Sequence, residues 1–154
     1  MIAYAKNQMV PFKASHGLEV MRAGCIELGV VEPSEYMLEM LAAREDEGNS
    51  WTLIEFNKIL ACGGFDLLWK GVAEAWAFFT PAASAAPQFV VRSVVRTIKA
   101  TAKEYNLHRI QAHVRTDLVP ALDLAEWLGF KPEGINRKFT ADGVDCIEFA
   151  MVTK

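Results

Sequence analysis

Two isolated titratable side chains are placed to move a proton. Glu74 lies in the run Val72 to Thr80 and His113 in Arg109 to Arg115, both of which read as strands. A carboxylate or an imidazole in reach of an amine takes its proton, directly or through a water. The plainer reading of each is a polar group at the edge or surface of a sheet. A second feature bears on anions. Between Gly71 and Gly129 there is no glycine, and that gap spans the strand-to-helix turn Ser84-Ala85-Ala86-Pro87-Gln88-Phe89. Backbone N–H groups at a helix N-terminus seat phosphates, and glycines there let the chain approach closely. Here Pro87 deletes a donor and Phe89 brings a large side chain, so only the small Ser84, Ala85 and Ala86 are left to form a poorer nest.

Other charged groups have plainer readings. The run Glu45-Asp46-Glu47 ends a helix where the dipole disfavours negative charge; a cationic substrate is one use for it, a solvated helix end the other. Arg92, Arg96, Lys99 and Lys103 line one helix flank; contact with phosphates or an acidic partner is one use for them, a solvated face the other. Cys25, Cys62 and Cys146 are odd in number and widely spaced, which predicts buried thiols and argues against a disulfide or a metal site.

The chain has 154 residues, of which 52% are apolar, enough for one hydrophobic core and too few for two ordinary domains. Its formal net charge of -3 provides no general attraction to nucleic acid or to an anionic membrane. No apolar run has the length of a membrane span, and the N-terminus carries no signal-peptide pattern, so a cytoplasmic protein is expected.

The elements that must position these groups follow from periodicity. Ile2 to Lys6 reads as a first strand. Ser15 caps a helix carrying Leu18, Met21, Cys25 and Leu28, which Gly29 ends. Pro33-Ser34 opens a second helix with Tyr36 or Met37, Met40 and Leu41 inward, stopped by Gly48-Asn49. Three antiparallel strands follow, from Trp51 to Thr80, with turns at Asn57-Lys58 and Trp69-Lys70-Gly71. Gly63-Gly64 inside the second of these marks a bulge or a close backbone approach. Trp51, Trp69 and Trp76 are expected in the core. Gln88 to Tyr105 is a helix with Val91, Val94, Val95, Ile98, Ala102 and Tyr105 on one face. After the strand Arg109 to Arg115, Asp117 caps a helix with Pro120 in its first turn and Leu118, Leu122 and Trp127 among its apolar members. Ile135 to Phe139 and Asp145 to Val152 form a hairpin through Ala141-Asp142-Gly143.

This order, with Leu128-Gly129-Phe130-Lys131-Pro132-Glu133-Gly134 after an amphipathic helix, resembles the GNAT superfamily of N-acetyltransferases over almost the whole chain. The resemblance implies an α/β (α+β) domain with a mixed, mostly antiparallel sheet of about seven strands and about four helices. The fourth and fifth strands splay into a V that takes acetyl-CoA. By the same resemblance, Glu74 or His113 is the catalytic base, Phe79, Thr80, Ser84, Ala85, Ala86 and Gln88 border the coenzyme, and no metal is needed. The family's glycines are missing from the turn, and Ala125 stands where many active relatives carry a tyrosine. The stretch Asn57 to Pro81, with Ala61-Cys62-Gly63-Gly64, also resembles small GNAT-like internal virion proteins of short-tailed bacteriophages. The expectation is thus a GNAT-fold protein with a degenerate acetyl-CoA site, non-catalytic, in the host cytoplasm or the virion. Its partners would be other virion or host proteins. The alternative is an active acetyl-CoA-dependent N-acetyltransferase whose acceptor is a primary amine, on a small molecule or a protein.

Overall fold

The computed structural model describes residues 6–25, 27 and 32–153. Among the described residues seven strands form one sheet: β1 Asn7–Pro11, β2 Ser50–Glu55, β3 Lys58–Trp69, β4 Val72–Phe79, β5 Arg109–Arg115, β6 Lys131–Asn136 and β7 Cys146–Val152. Their order is β1-β2-β3-β4-β5-β7-β6. Only β4 and β5 run parallel, with helix α3 (Pro87–Glu104) as the crossover; the other neighbours are antiparallel. Parallel neighbours cannot be joined by a tight turn, so this crossover sets β4 and β5 side by side with a helix start at the end of β4.

Each face of the sheet is covered. Helices α1 (Ala14–Arg22) and α2 (Glu35–Glu47) close one face over Phe12, Val20, Met21, Leu41, Cys62 and Phe78. Helices α3 and α4 (Val119–Trp127) close the other over Phe65, Ala73, Ile98, Ile110, Ala125 and Phe149. Strand alternation decides which side chain joins which layer. Ala73 and Ala75 of β4 pack toward α3 and α4, so Glu74, Trp76 and Phe78 point toward α1 and α2.

Helix α2 forms as its sequence predicts. Ser34 Oγ accepts from the Met37 N–H at 3.3 Å, and Gly48 ends the helix with φ at 74°, where a side chain would be strained. Leu41 is fully buried, Met37 and Met40 are partly buried, and Tyr36 faces solvent. Glu45 has a use the sequence reading did not assign: its Oε2 accepts from the Ala14 N–H at 3.0 Å, capping the start of α1.

Several expectations need correction. The expected first strand falls mostly on residues 2–5, outside the described residues, and Lys6 lies in a bend; the observed β1 is Asn7–Pro11, paired with β2. Ser15 sits inside the first turn of α1, because the N-cap is Lys13, whose N–H donates to His16 Nδ1 at 3.2 Å. That helix ends at Arg22; Leu28 and Gly29 lie outside the described residues. The hairpin after β2 turns on Phe56 and Asn57, both at positive φ (47° and 65°), one residue earlier than expected. Gly63 and Gly64 sit in regular register, so they mark a close backbone approach and not a bulge.

Helix α3 buries Val90, Ser93, Ile98 and Thr101, a stripe rotated from the expected one, and its four flank cations face solvent. Asp117 does not cap α4: its carboxylate is taken by Arg115, and the N-cap is Leu118. Trp69 is 69% exposed and does not join the core as expected, whereas Trp51 and Trp76 pack against it; Trp127, an apolar member of α4, is 67% exposed. The hairpin strand expected at Ile135 to Phe139 is β6, which runs earlier, over Lys131–Asn136. Gly129, at φ 99°, ends α4 and lets Phe130 turn into the core.

Candidate functional site

The cleft begins where β4 and β5 stop pairing. Their shared register is Val72 with Arg109, Ala73 with Ile110 and Glu74 with Gln111, and nothing beyond. Past that point β4 continues along β3 and β5 along β7, so the two strands diverge around a cavity of about 720 Å³. Apolar side chains of α2, α3 and α4 line it, together with a small set of polar groups. A cavity of this size and character is a ligand site in form.

At the fork, Glu74 Oε1 contacts His113 Nδ1 in a short hydrogen bond. The structure therefore joins the two sequence candidates into one pair, on the face of the sheet turned toward α2. The Glu74 bond, ahead of the opposing effect of burial, holds the His113 imidazolium above its ordinary value near 6.5. Phe139 stacks on the imidazole with ring centroids 4.5 Å apart and planes 14° from parallel. Phe139 is held there by a charge clamp. Arg115, 8% exposed, donates to both carboxylate oxygens of Asp117 at 2.9 Å and of Asp142 at 2.8 Å. Those bonds to Arg115, and one from Thr140, pull the Asp142 carboxyl down to about 2. The clamp ties the loop between β6 and β7 to the end of β5, which sets Phe139 over the pair.

On β4, Trp76 faces α2 and carries Arg44. The guanidinium carbon lies 4.1 Å from the indole centroid. Arg44 Nε and Nη2 donate to the two oxygens of Asp66 on β3, at 3.0 and 2.7 Å. Further along β4, the Phe79 N–H points into the cleft and donates to Glu27 Oε1 at 3.3 Å. Cys62 lines the cavity, but burial pushes its thiol up to about 12, so it is no nucleophile at neutral pH. Among the described residues no group of three or more His, Cys, Asp or Glu is arranged to hold a metal.

The residues expected around an anion seat lie between the end of β4 and the start of α3. Thr80 is turned inward: its N–H donates to Leu60 O at 2.9 Å and its hydroxyl to Ile59 O and Leu60 O. Pro81–Ala85 form a 3₁₀ turn. In it the Ala83 N–H donates to Thr80 O, the Ala86 N–H to Ala83 O, and the Ser84 hydroxyl to Pro81 O. Pro87 then opens α3 without an N–H, and Phe79 and Phe89 fold against the apolar cluster of Leu53, Leu60, Ala61 and Val90. Ala85 and Gln88 stay exposed. No described residue between Gly71 and Asn106 has positive φ, so the alternation that makes an anion-binding nest is absent from this turn. Ala125 is 7% exposed and packs in the core, where its methyl presents no hydroxyl.

No protein-family model matches the sequence, and no curated protein does. Solved structures match over nearly the full chain. Ard1 from Thermoplasma volcanium superposes with a TM-score of 0.76 at 13% identity, covering 97% of this chain and 99% of that one. A GNAT-family acetyltransferase from Bacillus anthracis gives 0.69 at 16% identity, covering 98% and 97%. The fold is that of the GNAT acetyltransferases. The yncA protein from Salmonella typhimurium, described as a putative acetyltransferase and solved with its cofactor acetyl-CoA, gives 0.71 at 12% identity over 97% and 95%. The seven-stranded mixed sheet with β4 and β5 parallel and parting is the layout expected from the GNAT resemblance.

Sequence reasoning missed Arg44, Asp66, Glu27 and Phe139 as cleft groups. Asp66 carried a readable signal, a charge flanked by apolar residues within a strand. The others depend on contacts between distant segments and left none.

Proposed function

We propose that this chain is a GNAT-fold binding module whose coenzyme seat is degenerate, a non-catalytic structural or interaction protein. One observation carries the reading. The turn between β4 and α3 spends its Ala83 and Ala86 amides on itself, has prolines at 81 and 87, contains no positive φ, and packs Phe89 inward. A diphosphate needs several backbone N–H groups converging at a helix start, and this turn offers few. Glu27 adds to the effect by occupying the Phe79 amide inside the cleft. The likeness to internal virion proteins extends the proposal to assembly within a phage particle, which mass spectrometry of purified particles checks.

The Glu74–His113 pair favours a second reading, an acetyl-CoA-dependent N-acetyltransferase. Acetyl-CoA would supply an activated thioester. The pair at the fork would take the proton of a primary amine, and Phe79, Thr80, Ser84, Ala85, Ala86 and Gln88 would border the coenzyme.

Thermal melting separates the two. Acetyl-CoA at 100 times its dissociation constant stabilises a binding protein by about 2.7 kcal/mol, a rise of roughly 5–11 °C for a domain of this size. The proposed function expects no rise. A saturable one contradicts it.

A further inference from the structure

The Arg44–Trp76 stack leaves two donors unused. Asp66 takes Nε and Nη2 of Arg44, and the stack on Trp76 fixes the plane of the guanidinium. Among the described residues the remaining Nη1, which is buried, finds no hydrogen-bond partner, and neither does the buried Trp76 indole Nε1. Arg44 is 11% exposed at the side chain, and both residues line the cavity. A buried donor left unpaired is costly, and two on one stack, beside a cavity, mark a place where a missing acceptor belongs.

We propose that Arg44 Nη1 and Trp76 Nε1 together bind the carbonyl oxygen of a neutral amide that carries a small apolar tail. Donors require an acceptor, which excludes a cationic group. Charge selects among acceptors. In the same cleft Arg44 is already neutralised by Asp66, Arg115 by Asp117 and Asp142, and Glu74 is paired with His113, which leaves Glu27 to repel a carboxylate but not a neutral carbonyl. A carbonyl oxygen has two lone pairs, one for each donor. Met37, Met40, Cys62 and Gly64 line the cavity alongside the stack and supply an adaptable apolar wall for the tail. The inference rests on the binding-module reading, and gives that module a ligand class.

The test follows the indole N–H directly. The four tryptophans yield four indole signals in a ¹⁵N–¹H spectrum, and Trp76→Phe, which keeps an aromatic ring under Arg44, identifies its own by deletion. Isovaleramide and isovalerate, alike in shape and different in charge, are titrated to about 50 mM, the range a seven-atom fragment requires. The expected result is a saturable downfield shift of the Trp76 signal with isovaleramide, a shift at least tenfold weaker in affinity with isovalerate, and loss of the isovaleramide response in Arg44→Met. An unmoved Trp76 signal, or tighter binding of isovalerate, overturns the proposal. Failure of the binding-module reading is seen separately, as acetyl-CoA binding in the melting experiment.

Discussion

Gly64 sits between two backbones, and adding one methyl there tests how the sheet is packed. It pairs with Ser50 on β2 and with Trp76 on β4. A Cβ at Gly64 would lie 2.6 Å from Ser50 Cα and closer still to Ser50 Oγ and Asn49 O. Two of these three atoms are main chain, so no rotamer change relieves the clash. Asn49 O also accepts the Phe65 N–H at 3.0 Å, so displacing it loosens a hydrogen bond. Overpacking costs about 1–3 kcal/mol, and a weakened bond about 1 more. Gly64→Ala is therefore expected to lower the melting temperature by roughly 4–16 °C, at 2–4 °C per kcal/mol. Urea unfolding followed by circular dichroism should show a lower midpoint with an unchanged slope. Gly134→Ala is the control, since nothing lies within 4 Å of a Cβ there, and it should change stability by no more than about 0.5 kcal/mol. If Gly64→Ala melts within about 2 °C of the parent, the close approach between β2 and β3 is not as described.

Three further outcomes are expected. Because Glu74 raises the folded-state value of His113, the pair contributes stability fully below the ordinary value near 6.5 and loses it as pH rises through the raised one. Glu74→Gln should thus cost about 1 kcal/mol at about pH 5.5 and much less at about pH 9, and NMR titration should show His113 moving down. In Arg115→Met the Asp142 carboxyl should titrate upward from about 2 toward the ordinary carboxylate range, with the His113–Phe139 ring contact weakened; an unmoved Asp142 would sink the clamp. A disulfide reagent at neutral pH should leave Cys62 unmodified in the folded protein and react with it once urea unfolds the chain, which mass spectrometry of the labelled peptide checks.

What was readable in the amino-acid order was local. Ser34 and Gly48 bracket α2 because capping chemistry acts within a turn of chain. The strands from Ser50 to Phe79 and from Arg109 to Arg115 follow an alternation that their neighbours reinforce. What was not readable was competition at long range. Asp117 looks like a cap until Arg115 takes its carboxylate, and Glu45 looks idle until the start of α1 arrives beside it. Helix α3 carries apolar residues on more than one side, so its sequence fits several orientations; the cluster with β3 and the 3₁₀ turn selects Val90, and the cluster of Phe65, Ile110 and Phe149 selects Ile98. In the cleft, Glu74 and His113 were nominated separately, and only the register of β4 with β5 brings them together. Arg44, Asp66 and Trp76 meet from α2, β3 and β4, an encounter that no spacing in the sequence signals.

On the proposed function, the turn from Thr80 to Phe89 does not seat a diphosphate. Titration calorimetry of the wild-type protein with coenzyme A addresses it without any need for an acceptor. No saturable heat is expected at ligand concentrations up to about 1 mM. A micromolar dissociation constant that disappears when Gln88 and Ser84 are replaced by bulky acidic residues would contradict it.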